Sequence, residues 1–515
     1  MDNEKKETEN RDDEKDELKT ISLKRYLWPD ERLEKEKKRN RKLKVALIVT
    51  ACAAVLIGWL GGSLLPFGFL SGLRQEISTG FSAGSDKIST ALDIMENDWY
   101  FGKDIKNLDD RLIDQAITGI TTNKEDTHTE YMSKSEVEDF EQSINRDYVG
   151  IGVEFVNSNG SAIVSRVFKD SPAAKAGIQA GDILTSADGT SLSGKSSDDI
   201  KKLVQGDEGS KVVIGVNRQG KNLSFEITRG SVKATTYGEM KENGIAYLQL
   251  YQFGDSTPEE VKAYLDDFKK ENARKLIIDL RDNGGGYLDS VSSIASCFLP
   301  KGSVVLQQEY KNGTKNKVKT QEKQYSRLGP IVILVNENTA SAAEVLTLAL
   351  KEQRSDVTLV GTTTYGKGSV QVTKQFDDGS AIKYTTCRWL SPKGTWVNGK
   401  GISPDDEVKM DEVFYHSFSG MKKNETWKQD SVSDAVKDVQ ECLSYLGYSV
   451  DRKDGYFSVE TEDALKQFQK DHGMNADGIL NEETYNAVYS QTILTNATDD
   501  SRDPQLQKAE ELLNE

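Results

Sequence analysis

The stretch IVILVNENTASAAEVLTLAL, Ile331 to Leu350, decides the fold of the largest part of this chain. Five consecutive apolar, mostly β-branched residues read as a strand buried on both faces. A polar turn follows, and then an apolar run at helical spacing, which makes one strand-turn-helix unit. Upstream, KLIIDL (Lys275–Leu280) followed by RDNGGGYLDSVSSIASCFL (Arg281–Leu299) repeats the arrangement. Two such units in succession are the signature of βα units in a larger α/β core, with bounds of 233–412. The pattern also marks two turns between a strand and a helix. One carries Gly284, Gly285 and Gly286, whose backbone N–H groups would face the start of a helix and favour negative charge there. The other places Ser341 in the first turn of a helix, a position where serine most often acts as a simple cap.

Outward from this core the chain is modular. Its 515 residues exceed what one core can organise, and the net charge of −16 argues against a nucleic-acid partner. Four widely spaced cysteines and three histidines outside any metal motif indicate no metal, no cofactor and no disulfide framework. Residues 1–42 are highly charged and predict a disordered cytoplasmic tail. VALIVTACAAVLIGWLGGSLL (Val45–Leu65) lacks charge and is long enough to cross a bilayer, so 43–65 is expected to be a single transmembrane helix. The basic run EKEKKRNRKLK just before it places the amino terminus in the cytoplasm and the remainder outside. Residues 71–145 show helical spacing and suit a stalk or an oligomer contact. Residues 146–232 are rich in short β runs and turn signals. The acidic stretch 493–515 is expected to be a disordered tail.

The β-rich part contains YVGIGVEF (Tyr148–Phe155), SPAAKAGIQAGDIL (Ser171–Leu184) and SSDDIKKLVQG (Ser196–Gly206), and in that order they resemble a PDZ domain. The resemblance implies that Tyr148, Val149, Gly150, Ile151 and Gly152 offer backbone N–H groups to a peptide carboxylate, and that the next strand accepts the peptide tail as an added strand. Arg166 in this domain could pair with a carboxylate or report groove occupancy, although a solvated surface position is the expectation.

In LVGTTTYGKGSVQ (Leu359–Gln371), Lys367 stands between two glycines with uncharged neighbours. A lysine acts as general base only when neutral, and burial moves it that way by disfavouring the ammonium. A serine hydroxyl beside such an amine becomes an activated nucleophile.

Taken together, LRDNGGGYL, NTASAAEVL and YGKGSVQ, behind a PDZ-like domain, resemble the carboxyl-terminal processing peptidases, or tail-specific proteases. The likeness runs from about residue 90 to 410. It implies Ser341 as nucleophile, Lys367 as base and Gln371 as the residue orienting the lysine. It further implies an oxyanion hole from the Ala342 amide and a glycine of the 284–286 turn, Gly285 or Gly286, with Gly286 favoured. Where the family usually has a second serine, this chain has Ala343. The family resemblance also favours a homo-oligomer.

Residues 430–492 carry two DG turns among helical patterns and resemble a small peptidoglycan-binding domain, which points to cell-wall peptidoglycan as a partner and a Gram-positive type of envelope. The expected activity is a membrane-anchored extracytoplasmic serine endopeptidase that recruits substrate proteins by their C-terminal tails. The alternative is a catalytically silent scaffold that binds such tails at the wall. A wall hydrolase finds no support, since no paired-carboxylate or zinc motif is present.

Overall fold

The computed structural model describes residues 82–158, 160–218, 220–422 and 424–515. The expected cytoplasmic tail and membrane helix lie outside the described residues; among those described, no helix is long and apolar enough to cross a membrane. Residues Ser82–Asn97 form a helix by themselves.

The centre is a six-stranded sheet in the order Thr236–Met240, Ile245–Leu250, Lys275–Asp279, Ile331–Val335, Val357–Gly361, Asp406–Glu407. The first pair is antiparallel and the others are parallel. Alternate residues of the strands point to opposite faces, which sorts the apolar runs into two cores. Leu276, Ile278, Ile331 and Ile333 face the helices Thr257–Lys270, Leu288–Phe298 and Ala342–Lys351. Ile277, Val332, Leu334 and Val360 face the other way, where Leu506, Ala509 and Leu513 cover them.

Those last three residues correct one expectation. The stretch 493–515 is not a disordered tail: the helix Glu482–Thr498 runs into it, and a helix Pro504–Asn514 closes the open face of the sheet. Asp503 caps that helix by accepting from the Leu506 N–H at 2.9 Å. Burying leucine side chains such as Leu506 and Leu513 contributes roughly 1.5–3 kcal/mol each, which outweighs the acidic composition of the segment.

A smaller antiparallel sheet stands beside the core. Ala381–Leu390 pairs with Glu130–Met132, Val304–Tyr310 and Ser369–Gln375. The amino-terminal region is therefore not wholly helical. Between its helices Leu108–Thr121 and Lys134–Asn145 it contributes a strand to this sheet.

The β-rich domain has the strand order Val153–Ser158, Ser161–Val167, Ile183–Ala187, Lys211–Arg218, Lys221–Thr228. Val153–Ser158 is thus an edge strand. The domain is joined to the core by its incoming and outgoing strands, Asp147–Gly150 and Gly230–Lys233, which pair with each other. The carboxyl-terminal helical module packs Val436, Val439, Leu443, Phe457, Leu465 and Phe468 into its own core. Its long helix Glu482–Thr498 also lies against the edge strand Val153–Ser158.

Candidate active site

Ser341 ends the turn after Ile331–Val335 and caps the helix Ala342–Lys351 with φ 56° and ψ −116°. For a residue with a Cβ this conformation costs on the order of 1–3 kcal/mol and persists only where the surroundings hold it. Three contacts do so. The Thr339 hydroxyl donates to the Leu280 carbonyl at 2.8 Å, the Ala340 N–H donates to the Asn283 carbonyl at 2.9 Å, and the Ser341 N–H donates to Glu344 Oε2 at 2.9 Å. The glycine turn fits directly over the serine. A Cβ added at Gly285 would stand 2.8 Å from the Ser341 Cβ, and one at Gly286 would stand 2.4 Å from the Phe253 carbonyl oxygen.

Lys367 follows Gly366, whose φ of 85° and close approach to the Gly401 backbone (2.6 Å from an added Cβ) leave no room for a side chain. Burial pushes the Lys367 ammonium below the ordinary lysine range, and the positive charge of Lys383 pushes the same way, against the opposing pull of Asp126 and Glu130. The Ser341 hydroxyl and the Lys367 amine are not hydrogen-bonded to one another; the loops that carry them are tied to one carboxylate. The Glu344 carboxylate, with no exposed surface, accepts from Thr364 Oγ1 at 2.6 Å, from the Gly366 N–H at 2.8 Å, and from the Lys367 N–H at 2.9 Å, besides the Ser341 N–H. Sequence reasoning missed Glu344. Its signal was the Ser-x-x-Glu spacing at a helix start, the pattern in which the glutamate reaches back to the cap residue's N–H.

Gln371 lies on Ser369–Gln375 and donates its amide nitrogen to Ser369 Oγ at 2.9 Å and Thr385 Oγ1 at 3.0 Å, not to the lysine. In the glycine turn the Gly285 N–H is taken by Asn283 Oδ1 at 2.9 Å. The Gly286 and Ala342 amides make no such bond among the described residues, so these two are the donors left open beside Ser341.

A second ionic cluster supports the turn from below. Arg281 binds the fully buried Asp279 at 2.6 Å and reaches Asp503, ahead of the terminal helix, at 2.7 Å. Burial would raise the Asp279 carboxyl, but Arg281 outweighs it and holds the group below its ordinary range.

In the β-rich domain Tyr148, Val149 and Gly150 belong to the joining strand, so they form no free loop. Ile151 and Gly152 follow it, and Gly152 has φ 84°. Arg166 is not a solvated surface residue. It lies at the junction of this domain with the core, bonded to Tyr251 Oη at 2.9 Å and paired with Glu154 at 3.2 Å.

The chain matches the family models of a PDZ domain over residues 149–228, of peptidase family S41 over 244–408, and of a peptidoglycan binding domain over 432–488. It is 34% identical over 449 residues to the "Carboxy-terminal processing protease CtpA" of Bacillus subtilis (strain 168), covering 87% of this chain and 93% of that one. It is 35% identical over 416 residues to a "Probable CtpA-like serine protease" of Staphylococcus epidermidis (strain ATCC 12228 / FDA PCI 1200), covering 80% and 82%. With a glycine turn laid over a strained serine, a lysine loop tied to it through one carboxylate and this likeness along most of its length, the chain belongs to peptidase family S41, the carboxy-terminal processing serine proteases.

Proposed function

We propose that this peptidase cuts proteins near their carboxyl termini with Ser341 as nucleophile and Lys367 as general base, outside the cytoplasm and at the cell wall. The Ser341 hydroxyl proton passes to the neutral Lys367 amine as Oγ bonds to the scissile carbonyl carbon. The oxyanion is met by the Ala342 and Gly286 amides. The C–N bond then breaks, Lys367 returns its proton to the leaving amine, and water repeats the sequence on the acyl-enzyme. Gln371 orients the lysine once substrate draws the site together, since catalytic hydrogen bonds tighten in the substrate complex.

The observation that carries this reading is the shared grip of Glu344 on the Ser341 and Lys367 backbones. The substrate tail is taken by the PDZ domain, its carboxylate at the Ile151 and Gly152 amides; the strand Val153–Ser158 that would receive its backbone is met by the helix Glu482–Thr498, which has to yield for the tail to add. The helix at 43–65 anchors the enzyme, and the carboxyl-terminal module holds peptidoglycan. Ile113 and Ile120, exposed on the helix Leu108–Thr121, offer a contact for a homo-oligomer.

The test is incubation with unstructured proteins ending in apolar residues, followed by mass spectrometry of the products. Cleavage by wild type and none by Ser341→Ala or Lys367→Ala supports the reading. Peptide binding without cleavage by wild type would leave the silent scaffold.

A further inference from the structure

Asp126 lies on a segment that precedes the PDZ domain and falls outside the matched peptidase region of 244–408. The segment nevertheless reaches the strand behind the catalytic lysine. Glu130 pairs with Lys383 in the register of Glu130–Met132 on Ala381–Leu390. Next along that strand, the Thr385 N–H donates to Thr129 Oγ1 at 3.2 Å, and the Thr129 hydroxyl donates to Asp126 Oδ2 at 2.6 Å. The His128 N–H donates to Asp126 Oδ1 at 3.1 Å.

A threonine hydroxyl has one proton to give and two lone pairs to accept with. Thr385 Oγ1 accepts from the Gln371 amide nitrogen at 3.0 Å, and the Thr385 backbone is held to Asp126 through the Thr129 hydroxyl. In this arrangement the amide nitrogen end of the Gln371 carboxamide faces the threonine. The carbonyl oxygen is left as an acceptor for an amine N–H.

We propose that Asp126 is a positioning residue of the peptidase reaction, which through Thr385 orients the Gln371 carboxamide four residues along from Lys367. The proposal rests on the Ser341–Lys367 reading above. Two further observations agree with it. Burial would raise the Asp126 carboxyl, yet the Thr129 and Thr385 hydroxyls and the His128 N–H outweigh it and keep the group low. The charged groups facing Lys367 are Lys383 on one strand and Asp126, Glu130 and His128 on this segment, so Asp126 also supplies negative charge to the lysine.

The test measures kcat and KM against pH for the full chain, using a peptide with an unstructured carboxyl end. In Asp126→Asn, kcat should fall roughly tenfold with KM little changed, less than the roughly hundredfold or more that losing an acid–base group outright costs. The limb on which activity rises with pH should move to lower pH, because a negative charge that favours the ammonium is gone. Thr385→Val keeps every charge and should lower kcat with the limb in place. A purely structural role would not separate the two variants in this way. A folded Asp126→Asn enzyme with wild-type kcat and an unmoved limb overturns the proposal. So does wild-type kcat in Thr385→Val, which serves if Asp126→Asn fails to fold. Lys367→Ala is assayed alongside: activity there removes the base reading and this proposal together, whereas its inactivity beside an unaffected Asp126→Asn removes this proposal alone.

Discussion

Ser341 and Lys367 donate their backbone N–H groups to one and the same atom, Glu344 Oε2, each at 2.9 Å. The serine turn and the lysine loop are therefore registered to each other through a buried carboxylate. Glu344→Gln puts an NH₂ group where an oxygen accepts two N–H groups, leaving buried donors unsatisfied at about 1–3 kcal/mol. The expected result is a fall in kcat of about a hundredfold, the scale of disturbed site geometry, with a lowered thermal midpoint. Unchanged kcat in the folded variant would show that the two loops hold their places without it.

Lys383 should tune the base. Its positive charge is among the causes that keep Lys367 below the ordinary lysine range, after burial itself. Lys383→Met removes that charge, so the Lys367 ammonium becomes easier to keep. With Lys367 as the proposed base, activity requires the neutral amine, so the rising limb of kcat/KM should move to higher pH. A pH–rate profile of the two enzymes decides the point, and movement to lower pH would contradict the assignment.

The three glycines of the turn should differ sharply. An added Cβ at Gly284 meets nothing within 4 Å, whereas at Gly285 it meets Ser341 and at Gly286 the Phe253 backbone. Gly284→Ala should stay near wild-type activity. Gly285→Ala and Gly286→Ala should each lose it almost entirely, since both also force a side chain into positive φ. Equal activity of all three in the product assay would mean that the turn relaxes freely.

The terminal helix should be needed for core stability. Leu506→Ala and Leu513→Ala each remove a buried side chain and should cost about 2–5 kcal/mol in chemical denaturation. The described cysteines Cys297, Cys387 and Cys442 are free thiols, so a reductant should leave that stability unchanged.

Acid should weaken the same region. Asp279 is held lower in the folded protein than in the unfolded chain, so its contribution is fully present above the ordinary aspartate range of about 4. It is lost as the pH falls through the lowered value. Arg281→Met removes the cause and should flatten that acid limb of the stability curve.

The central βα units, the serine turn and the β-rich domain were legible because each is written locally, in apolar periodicity and turn glycines. Glu344 was half legible, since its spacing to Ser341 is local but its bonds to Thr364, Gly366 and Lys367 are not. The Thr129–Thr385 contact joins residues 256 apart, and no local pattern announces such a pairing. Arg166 read as a surface residue because its partner Tyr251 belongs to another domain. The terminal helix was illegible for a related reason. Its few leucines sit among charges, and only the waiting face of Ile277, Val332 and Leu334 makes the burial worthwhile.

The chain leaves the central sheet at Asp406–Glu407, builds the peptidoglycan-binding module, and comes back to the same sheet with Pro504–Asn514. The module is thus mounted at two points, with its long helix braced on the PDZ edge strand, and does not swing on a leash. Whatever the module grips is gripped at a fixed attitude to Ser341. On the proposed function, the reach of the enzyme is then the width of the molecule itself, and the tails within its range are those that pass beside the strand of wall it holds.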